Sequence, residues 1–359
     1  MTDQDRIIDA KRFVRAALSR VAEATPGTVL QRLTEAYHPQ AEWRGSYPMN
    51  EMSGFEAMAA TVWQPLLRSF PDLERRDTLL MGGHWNGGDW VGAVGHYCGT
   101  FRSDWLSIPA TGRPIYIRYG EFHRVQDGRI AQSTVLIDVL DVIRQAGFWP
   151  IAPSLGTEEQ WPCPFTGDGI VLTPQDPALS AASLAQTLAM HKTLGDYNDL
   201  DHRGREGLLD MPQKLHWHPK MMWYGPCGIG TTRGLQGFVD YHQLPFRIAF
   251  PNRRGGNHYV RIGDGAYSAT AGWPSVHARH LGGDFCGVGP TGRDVTMRVM
   301  DFYLHHEGLI RENWVPIDII HLLRQMDVDV FARMQSFFRR GRIGTPRSRR
   351  ILMESSKCG

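Results

Sequence analysis

Two carboxylates, Glu121 and Asp301, stand 180 residues apart on two similar strand-like segments, and both could do acid–base chemistry. Strand alternation puts Tyr119 on the same face as Glu121, and Tyr303 on the same face as Asp301. A carboxylate in an apolar pocket can remove a proton next to a carbonyl group, while a neighbouring hydroxyl donates to the enolate oxygen. The structural alternative is equally open, because buried carboxylates also serve in ion pairs and hydrogen-bonded cores.

Two aspartates, Asp138 and Asp318, also stand 180 residues apart, where the last strand of each segment meets a helix. An aspartate at this point is typical of a helix N-cap, whose side chain accepts backbone N–H groups of the first turn. A carboxylate that faces a pocket and has its pKa raised by burial is the other interpretation. We keep both residues as catalytic candidates.

The second half of the chain is richer in titratable side chains than the first. His258, on a predicted strand, could transfer protons because imidazole titrates near neutral pH. The aromatic residues on the strand that opens each half are either core filler or a surface on which a flat ligand stacks. The predicted substrate-binding residues are Trp43, Tyr119, Trp223, Tyr224 and Asn313.

Two histidine pairs have spacings that a metal site could use: His216 with His218, and His277 with His280. Neither pair has a recognisable third ligand by spacing, and a protein metal site needs at least three ligands. We therefore predict no metal and no cofactor. A metal-dependent hydrolase or oxygenase remains a third alternative, which would require three His or carboxylate side chains to converge.

The stretch 65–138 is repeated later in the chain. Pro65, Arg113 and Asp138 each have an identical residue 180 positions further on. The register slips by about three residues in between, because the sequence at 90–93 best matches that at 267–270. Two long copies indicate a duplicated domain, since solenoids need short periods and at least three repeats.

The order of elements within each copy is helices followed by an antiparallel meander, which predicts an α+β fold with a curved sheet wrapped around helices. We predict a first domain over 1–150, a Pro-rich connector over 151–176, a second domain over 177–338 and a basic tail over 339–359. The last helix of the second domain is predicted at about 319–338.

The net charge of +2 gives no global field that would attract nucleic acid or a membrane, so we predict neither as a partner. The five cysteines form no C-x-x-C pair, and no apolar run approaches the ~20 residues that span a bilayer. We predict a cytoplasmic protein with reduced thiols and a small-molecule substrate.

Several short motifs recur in both copies. The first copy has Phe-Pro-Asp-Leu at 70–73, Pro-Ala-Thr-Gly-Arg at 109–113, Asp-Gly-Arg-Ile at 127–130, and an Asp138 that leads to Ile-Arg-Gln-Ala-Gly at 143–147. The second copy repeats this skeleton with Phe-Pro-Asn at 250–252 and Pro-Thr-Gly-Arg at 290–293. Together these motifs resemble a SnoaL-like polyketide cyclase domain of the NTF2-like superfamily. The resemblance covers most of the chain apart from the connector and the tail.

The resemblance implies two cone-shaped α+β barrels, each with a pocket between a curved sheet and its helices. Because such domains commonly dimerise by stacking their sheets, the two copies are expected to form an internal pseudo-dimer, and a further homodimer is an open alternative. The namesake enzymes close a polyketide ring by aldol condensation without a cofactor. Other members of the superfamily only hold ligands or partners.

The chain departs from the cyclase pattern at the residues that carry the chemistry. The family's acid–base aspartate lies three residues before the closing aspartate of each copy, where this chain has Val135 and Val315. A pocket histidine of the cyclases falls on Glu121 and Asp301. We therefore expect an acid–base lyase, isomerase or cyclase that acts on a small carbonyl or hydroxy compound. The alternative is a non-catalytic ligand-binding or assembly module of the same fold.

Overall fold

The structure is a computed structural model, and it describes residues 2–196 and 204–339. Each half of the chain forms helices that lie against one face of a curved sheet, so the predicted α+β class with two NTF2-like barrels is confirmed. No helix in these two ranges is both long and apolar enough to cross a bilayer.

The first domain consists of five helices, one of them preceded by a π-helical turn, and six strands. Its elements are α1 Asp3–Ala22, α2 Val29–Ala36, β1 Tyr37–Gly45, β2 Glu51–Ser53, α3 Phe55–Met58, the π-turn Ala59–Trp63, α4 Gln64–Ser69, β3 Glu74–Trp85, β4 Gly88–Thr100, β5 Pro114–Gln126, β6 Arg129–Ile137 and α5 Val139–Gln145.

The second domain repeats this order. Its elements are α6 Pro177–Asp196, α7 Gly204–Asp210, a 3₁₀ turn Pro212–Leu215, β7 Trp217–Tyr224, β8 Thr232–Arg233, α8 Gly234–Phe238, the π-turn Val239–Gln243, α9 Leu244–Ala249, β9 Arg254–Gly255, β10 His258–Asp264, β11 Tyr267–Arg279, β12 Asp294–His306, β13 Leu309–Trp314, α10 Ile319–Gln325 and α11 Val330–Arg339. The single helix predicted at 319–338 was wrong, because Asp327 adopts a left-handed φ of 67° that separates α10 from α11.

The two sheets share one topology. The strand order is β2-β1-β6-β5-β4-β3 in the first domain and β8-β7-β13-β12-β11-β10 in the second, where β9 also pairs with β11. The opening strand of each domain runs parallel to the closing one, and the remaining pairs are antiparallel. Each sheet therefore presents a concave face to its helices and a convex face to the other domain.

The register slip predicted within the repeat is confirmed by strand pairing. Ala93 lies opposite Glu121 and Thr270 lies opposite Asp301, so β4 and β11 are offset by 177 residues. The cause is the preceding hairpin, which is longer in the first domain. Six residues separate the paired Gly83 and Trp90, whereas two separate the paired Asp264 and Tyr267.

The convex faces of the two sheets pack together and form an apolar core of their own, distinct from the barrel interiors. Phe122 of β5 stacks on Phe302 of β12 with ring centroids 5.0 Å apart. Gly120 permits the close approach, because a Cβ there would lie 2.2 Å from Pro316 Cγ. The two domains form the predicted internal pseudo-dimer.

The connector is packed and lies along both domains. Its Gly169 carbonyl and Val171 N–H bond to Leu80 of β3, and the indole N–H of Trp161 donates to the Gly225 carbonyl after β7. These contacts extend the interface beyond the two sheets.

One buried ion pair joins the domains and gives a stability prediction. Lys11 Nζ of α1 lies 2.7 Å from Asp264 Oδ2 at the end of β10, and the Gly82 N–H donates to the same oxygen. We expect Lys11→Met to cost about 3 kcal/mol of unfolding free energy, because it leaves a buried carboxylate without its cation. Urea denaturation measures the loss.

The double variant Lys11→Met/Asp264→Asn is the control, because it removes both charges and should regain most of the lost stability. If the unfolding free energy of Lys11→Met were within about 1 kcal/mol of the wild-type value, the pair would contribute no more than an exposed ion pair does, and the prediction would be contradicted.

Candidate functional site

The first barrel neutralises its interior carboxylate with an arginine. Arg75 Nη1 of β3 lies 2.6 Å from Glu121 Oε2, and its Nη2 lies 2.8 Å from Asp77 Oδ1. The hydroxyl of Tyr97 donates to Glu121 Oε1 at 2.7 Å, and His123 Nε2 lies 3.1 Å from Oε2. Every oxygen of the Glu121 carboxylate therefore has a partner within the protein.

This network is sealed from solvent. Glu121 is 1% exposed, and the space beside it has a volume of about 10 Å³, which is room for about one water molecule. Burial alone would raise the pKa of Glu121, but Arg75 and His123 outweigh it and lower the pKa to about 2. A carboxylate that is permanently ionised, paired and enclosed has no access to a substrate.

Strand register identifies what replaces the network in the second barrel. Arg75 lies opposite Tyr97 in the first sheet, and the matching pair in the second is Gly255 and Val276. The positions of Asp77 and His123 are taken by His258 and Tyr303. The second barrel thus keeps a carboxylate at the Glu121 position and lacks the arginine.

Asp301 has neutral partners. The side chains that act on its carboxylate are the neutral Tyr303 and Asn313, and no Arg or Lys in the described ranges forms an ion pair with it. Burial raises the pKa of Asp301 to about 6, against the lowering effect of these two hydrogen-bonding neighbours. Such a carboxylate exchanges a proton near neutral pH, which is the property that a general base requires.

The interior around Asp301 is open where the interior around Glu121 is closed. At five matched inner positions the first barrel has side chains that are at most 2% exposed, and the second has side chains that are partly exposed. The closed set is Val62, Leu66, Tyr97, Tyr119 and Glu121, and the open set is His242, Phe246, Val276, Val299 and Asp301. The side chains around the second carboxylate are thus less completely enclosed than those around the first.

A histidine from the covering helix completes the hydrogen-bonded cluster. His191 of α6 places Nε2 2.8 Å from the Tyr303 hydroxyl, and its ring centroid lies 6.1 Å from that of His258. Burial, with smaller contributions from His258 and Arg261, lowers the pKa of His191 to about 3. The imidazole of His191 is therefore neutral at physiological pH.

Aromatic rings line the rest of the second barrel. Trp223 stacks on His242 with centroids 4.1 Å apart, and Phe238 lies between Trp223 and Trp217 at 5.7 and 5.5 Å. Burial lowers the pKa of His242 to about 3, so this histidine acts as a neutral ring. The lining suits an apolar or flat ligand.

The predicted substrate-binding residues are divided between the two barrels and the interface. Trp43 and Tyr119 lie inside the closed first barrel, where the Tyr119 hydroxyl donates to Asp77 Oδ1 at 2.7 Å. Trp223 and Asn313 lie inside the second. The prediction for Tyr224 was wrong, because alternation turns its ring to the opposite face from Trp223, where its hydroxyl donates to Glu312 at 2.7 Å.

Asp138 and Asp318 lie outside both barrel interiors. Asp138 accepts from the N–H of Asp141 as an N-cap and from the N–H of Cys227 in the other domain. Asp318 does the same with the N–H groups of His321 and Tyr47. We therefore correct their assignment as catalytic candidates, because both carboxylates are occupied at the domain interface.

The histidine pairs considered as metal ligands do not converge with a third ligand in the part of the chain that the structure describes. There, the group of His, Cys, Asp or Glu atoms close enough to share a metal ion is Asp141, Glu158 and Cys227 at the interface. Arg118 and Arg144 already pair with the Asp141 carboxylate at 3.3 and 2.8 Å, so this group is a salt-bridge network.

Three residues that shape the two barrel interiors were missed from the sequence. Arg75 and Asp77 are charged at alternate positions of a strand, which could have indicated an inward-facing ion pair. His191 follows Leu184 and Leu188 at spacings of four and three, which places it on one helical stripe with two apolar residues. A histidine on such a stripe was a signal for the barrel interior.

Comparison with known proteins adds a family. The profile of the SnoaL-like polyketide cyclases matches residues 15–146 and 212–326, one match for each domain. No protein of curated function matches the chain.

Solved structures that match each correspond to about one domain. TsrD from Streptomyces laurentii is 24% identical over 38% of this chain and 96% of its own, with a TM-score of 0.31. IdmH from Streptomyces antibioticus, described as "a putative polyketide cyclase", is 22% identical over 38% of this chain and 99% of its own, with a TM-score of 0.32. A SnoaL-like polyketide cyclase from Agrobacterium tumefaciens is 16% identical over 41% of this chain and 100% of its own, with a TM-score of 0.30.

Proposed function

Since the chain belongs to the SnoaL-like polyketide cyclase family, we propose that its second barrel is a cofactor-independent acid–base site and its first barrel a structural half. Asp301 removes a proton from the carbon next to a carbonyl group of a small, largely apolar carbonyl or hydroxy compound. The electron pair left on the substrate becomes an enolate, which is then reprotonated elsewhere or forms a new bond. The reaction class is therefore lyase, isomerase or cyclase.

The observation that carries the proposal is the contrast between the two carboxylates. Glu121 is paired with Arg75 and sealed, whereas Asp301 has only neutral groups acting on its carboxylate and is partly exposed. A base must be able to gain a proton and must reach the substrate, and Asp301 alone of the two meets both conditions.

The neighbours of Asp301 supply the other roles. The Tyr303 hydroxyl is placed to donate to the enolate oxygen once Asp301 has taken the proton. His258 lies on the adjacent strand with its pKa lowered by burial and by Arg261, so it is a second neutral group of the site. The aromatic rings hold the apolar part of the substrate.

The expected pH dependence follows from the pKa of Asp301. The ionised carboxylate is the base, so proton abstraction should increase as pH rises through about 6 and level off above it. We expect the wild-type protein, incubated in D₂O with a panel of apolar ketones, to incorporate deuterium next to the carbonyl group with this profile. Mass spectrometry measures the incorporation.

A flat pH profile, or incorporation no faster than in buffer across the panel, would contradict the proposal. If panel members bound tightly without exchange, the second candidate function would be favoured, which is a ligand-binding module.

We also propose a cytoplasmic setting for the enzyme. The four cysteines in the described ranges, Cys98, Cys163, Cys227 and Cys286, are free thiols, which suits a reducing compartment.

A further inference from the structure

The contact between His191 and Tyr303 raises the question of which atom carries the shared proton. His191 Nε2 and the Tyr303 oxygen are 2.8 Å apart. Tyr303 and Asp301 are alternate residues of β12, so their side chains lie on the same face, and Asp301 raises the pKa of the Tyr303 hydroxyl. The phenol has a single proton to donate, and it lies beside two groups that could accept it.

The ionised state of Asp301 settles the direction of both bonds. A carboxylate has no proton, so Tyr303 must donate its proton to Asp301. The Tyr303 oxygen can then only accept from His191, which requires a hydrogen on Nε2. A neutral imidazole carries one N–H, so Nδ1 of His191 is left as an acceptor.

We propose that His191 is a positioning residue of the Asp301 site, which donates from Nε2 to the Tyr303 oxygen and thereby directs the Tyr303 proton towards the reacting centre. The inference rests on the proposed acid–base function. It adds a residue from the covering helix that touches neither the substrate nor Asp301 and acts through Tyr303.

The surroundings of His191 hold it in the neutral form that this role requires. The charged and titratable groups that face it are His258 and Arg261 from β10 and Tyr303 from β12. No carboxylate in the described ranges forms an ion pair with His191, and Arg261 opposes its protonation. His191 thus remains a donor of one fixed hydrogen.

The arrangement has a consequence for the reaction. When Asp301 takes the substrate proton, it no longer needs the hydrogen bond from Tyr303, and the Tyr303 proton is free to turn to the enolate oxygen. The donation from His191 polarises the phenol and makes it a better donor at that moment. One proton moves from substrate carbon to Asp301, and the remaining groups exchange hydrogen bonds only.

The test compares His191→Leu with His191→Gln, whose side-chain amide can still donate to Tyr303. We expect His191→Leu to raise the Asp301 titration midpoint by roughly half a pH unit or more, because the ionised form loses support through Tyr303. The rate of deuterium exchange into the ketone should fall roughly 10-fold, which is the lower end of the loss seen when a partner that orients an active-site group is removed. His191→Gln should keep the Asp301 midpoint and the exchange rate close to those of the wild type. Carboxyl ¹³C NMR follows the titration.

His305→Leu is the matched control for a merely structural role. His305 also joins β12 to α6, through Gln186 Oε1 at 3.0 Å and Thr187 Oγ1 at 3.1 Å, but it does not touch Tyr303. It should leave the Asp301 midpoint unchanged. An unchanged midpoint in His191→Leu, or an equal shift in His305→Leu, would overturn the inference.

A second measurement separates this inference from the proposed function. At pH 8, ¹⁵N NMR of the wild-type protein should show the hydrogen of His191 on Nε2, and a hydrogen on Nδ1 would overturn the inference without affecting the role of Asp301. Conversely, an Asp301 that titrates at its ordinary value would remove the proposed function, whatever the tautomer of His191.

Discussion

Asp301→Asn is expected to lose roughly 10²- to 10⁴-fold of ketone exchange activity, the range that a general base contributes. The amide has the same shape and can still accept a hydrogen bond from Tyr303, but it cannot accept a proton from carbon. The fold should therefore survive, since Asp301 has no ion pair to lose. Deuterium incorporation, with folding checked by circular dichroism, measures the effect.

Asp318→Asn is the matched control for this variant. Asp318 belongs to the same domain, and burial raises its pKa to about 6 as well, yet its carboxylate lies at the domain interface. This variant should retain its exchange activity. A comparable loss in Asp318→Asn, or an Asp301→Asn protein within about 3-fold of the wild type, would contradict the assignment, because a base supplies at least about 10²-fold.

Arg75→Met should produce the largest loss of stability, about 5 kcal/mol, the upper end for breaking a buried ion pair. The Arg75 side chain is 0% exposed and serves Asp77 and Glu121 together. Its removal leaves the buried Glu121 without its arginine, and it leaves Asp77 with only the partly exposed Arg15, whose Nε lies 3.3 Å from Asp77 Oδ2. It also stacks over the ring of Tyr119 at 4.5 Å. Guanidinium denaturation measures the change.

Arg76→Met is the matched control, because Arg76 follows on the same strand but faces outward with a 54% exposed side chain. The Arg76→Met variant should lose no more than about 0.5 kcal/mol of unfolding free energy. The triple variant Arg75→Met/Asp77→Asn/Glu121→Gln should recover much of the lost stability by removing the charges as well. A cost below about 1 kcal/mol for Arg75→Met would show that the network is not a buried ion pair.

The repeat was the part of the sequence that determined most of the fold. The constant spacing between Asp138 and Asp318, together with the slip before Glu121 and Asp301, predicted two domains with one altered hairpin, and strand pairing confirms both. Alternation placed Glu121 and Asp301 on the same faces as Tyr119 and Tyr303, and the family resemblance implied that these faces are the inner ones. Such inferences succeed because alternation and repeat spacing can be read along the chain without knowing which strands pair.

The difference between the two barrels could not be predicted in the same way. Glu121 and Arg75 are 46 residues apart and meet only because β3, β4 and β5 are aligned in a particular register. His191 reaches Tyr303 across 112 residues, and its helical stripe indicates an inward position but not which strand residue it meets. The pKa of a carboxylate depends on these distant partners, so its role became visible only in three dimensions.

The error at Tyr224 has a related cause. The sequence indicated an aromatic strand but not which of the neighbouring rings, Trp223 or Tyr224, faces the barrel. In a pseudo-dimer the convex face of the sheet is also buried and apolar, so hydrophobicity does not distinguish the two faces. The same interface explains why Asp138 and Asp318 are buried without belonging to a pocket.

The measurement that tests the central claim most directly is the titration of both carboxylates in one protein by carboxyl ¹³C NMR, with Asp301→Asn and Glu121→Gln used for assignment. We predict that Asp301 titrates near 6 and that Glu121 stays ionised throughout the pH range in which the protein is folded. An Asp301 midpoint near 3.8, or a Glu121 midpoint as high as that of Asp301, would contradict the division into one reactive and one structural barrel.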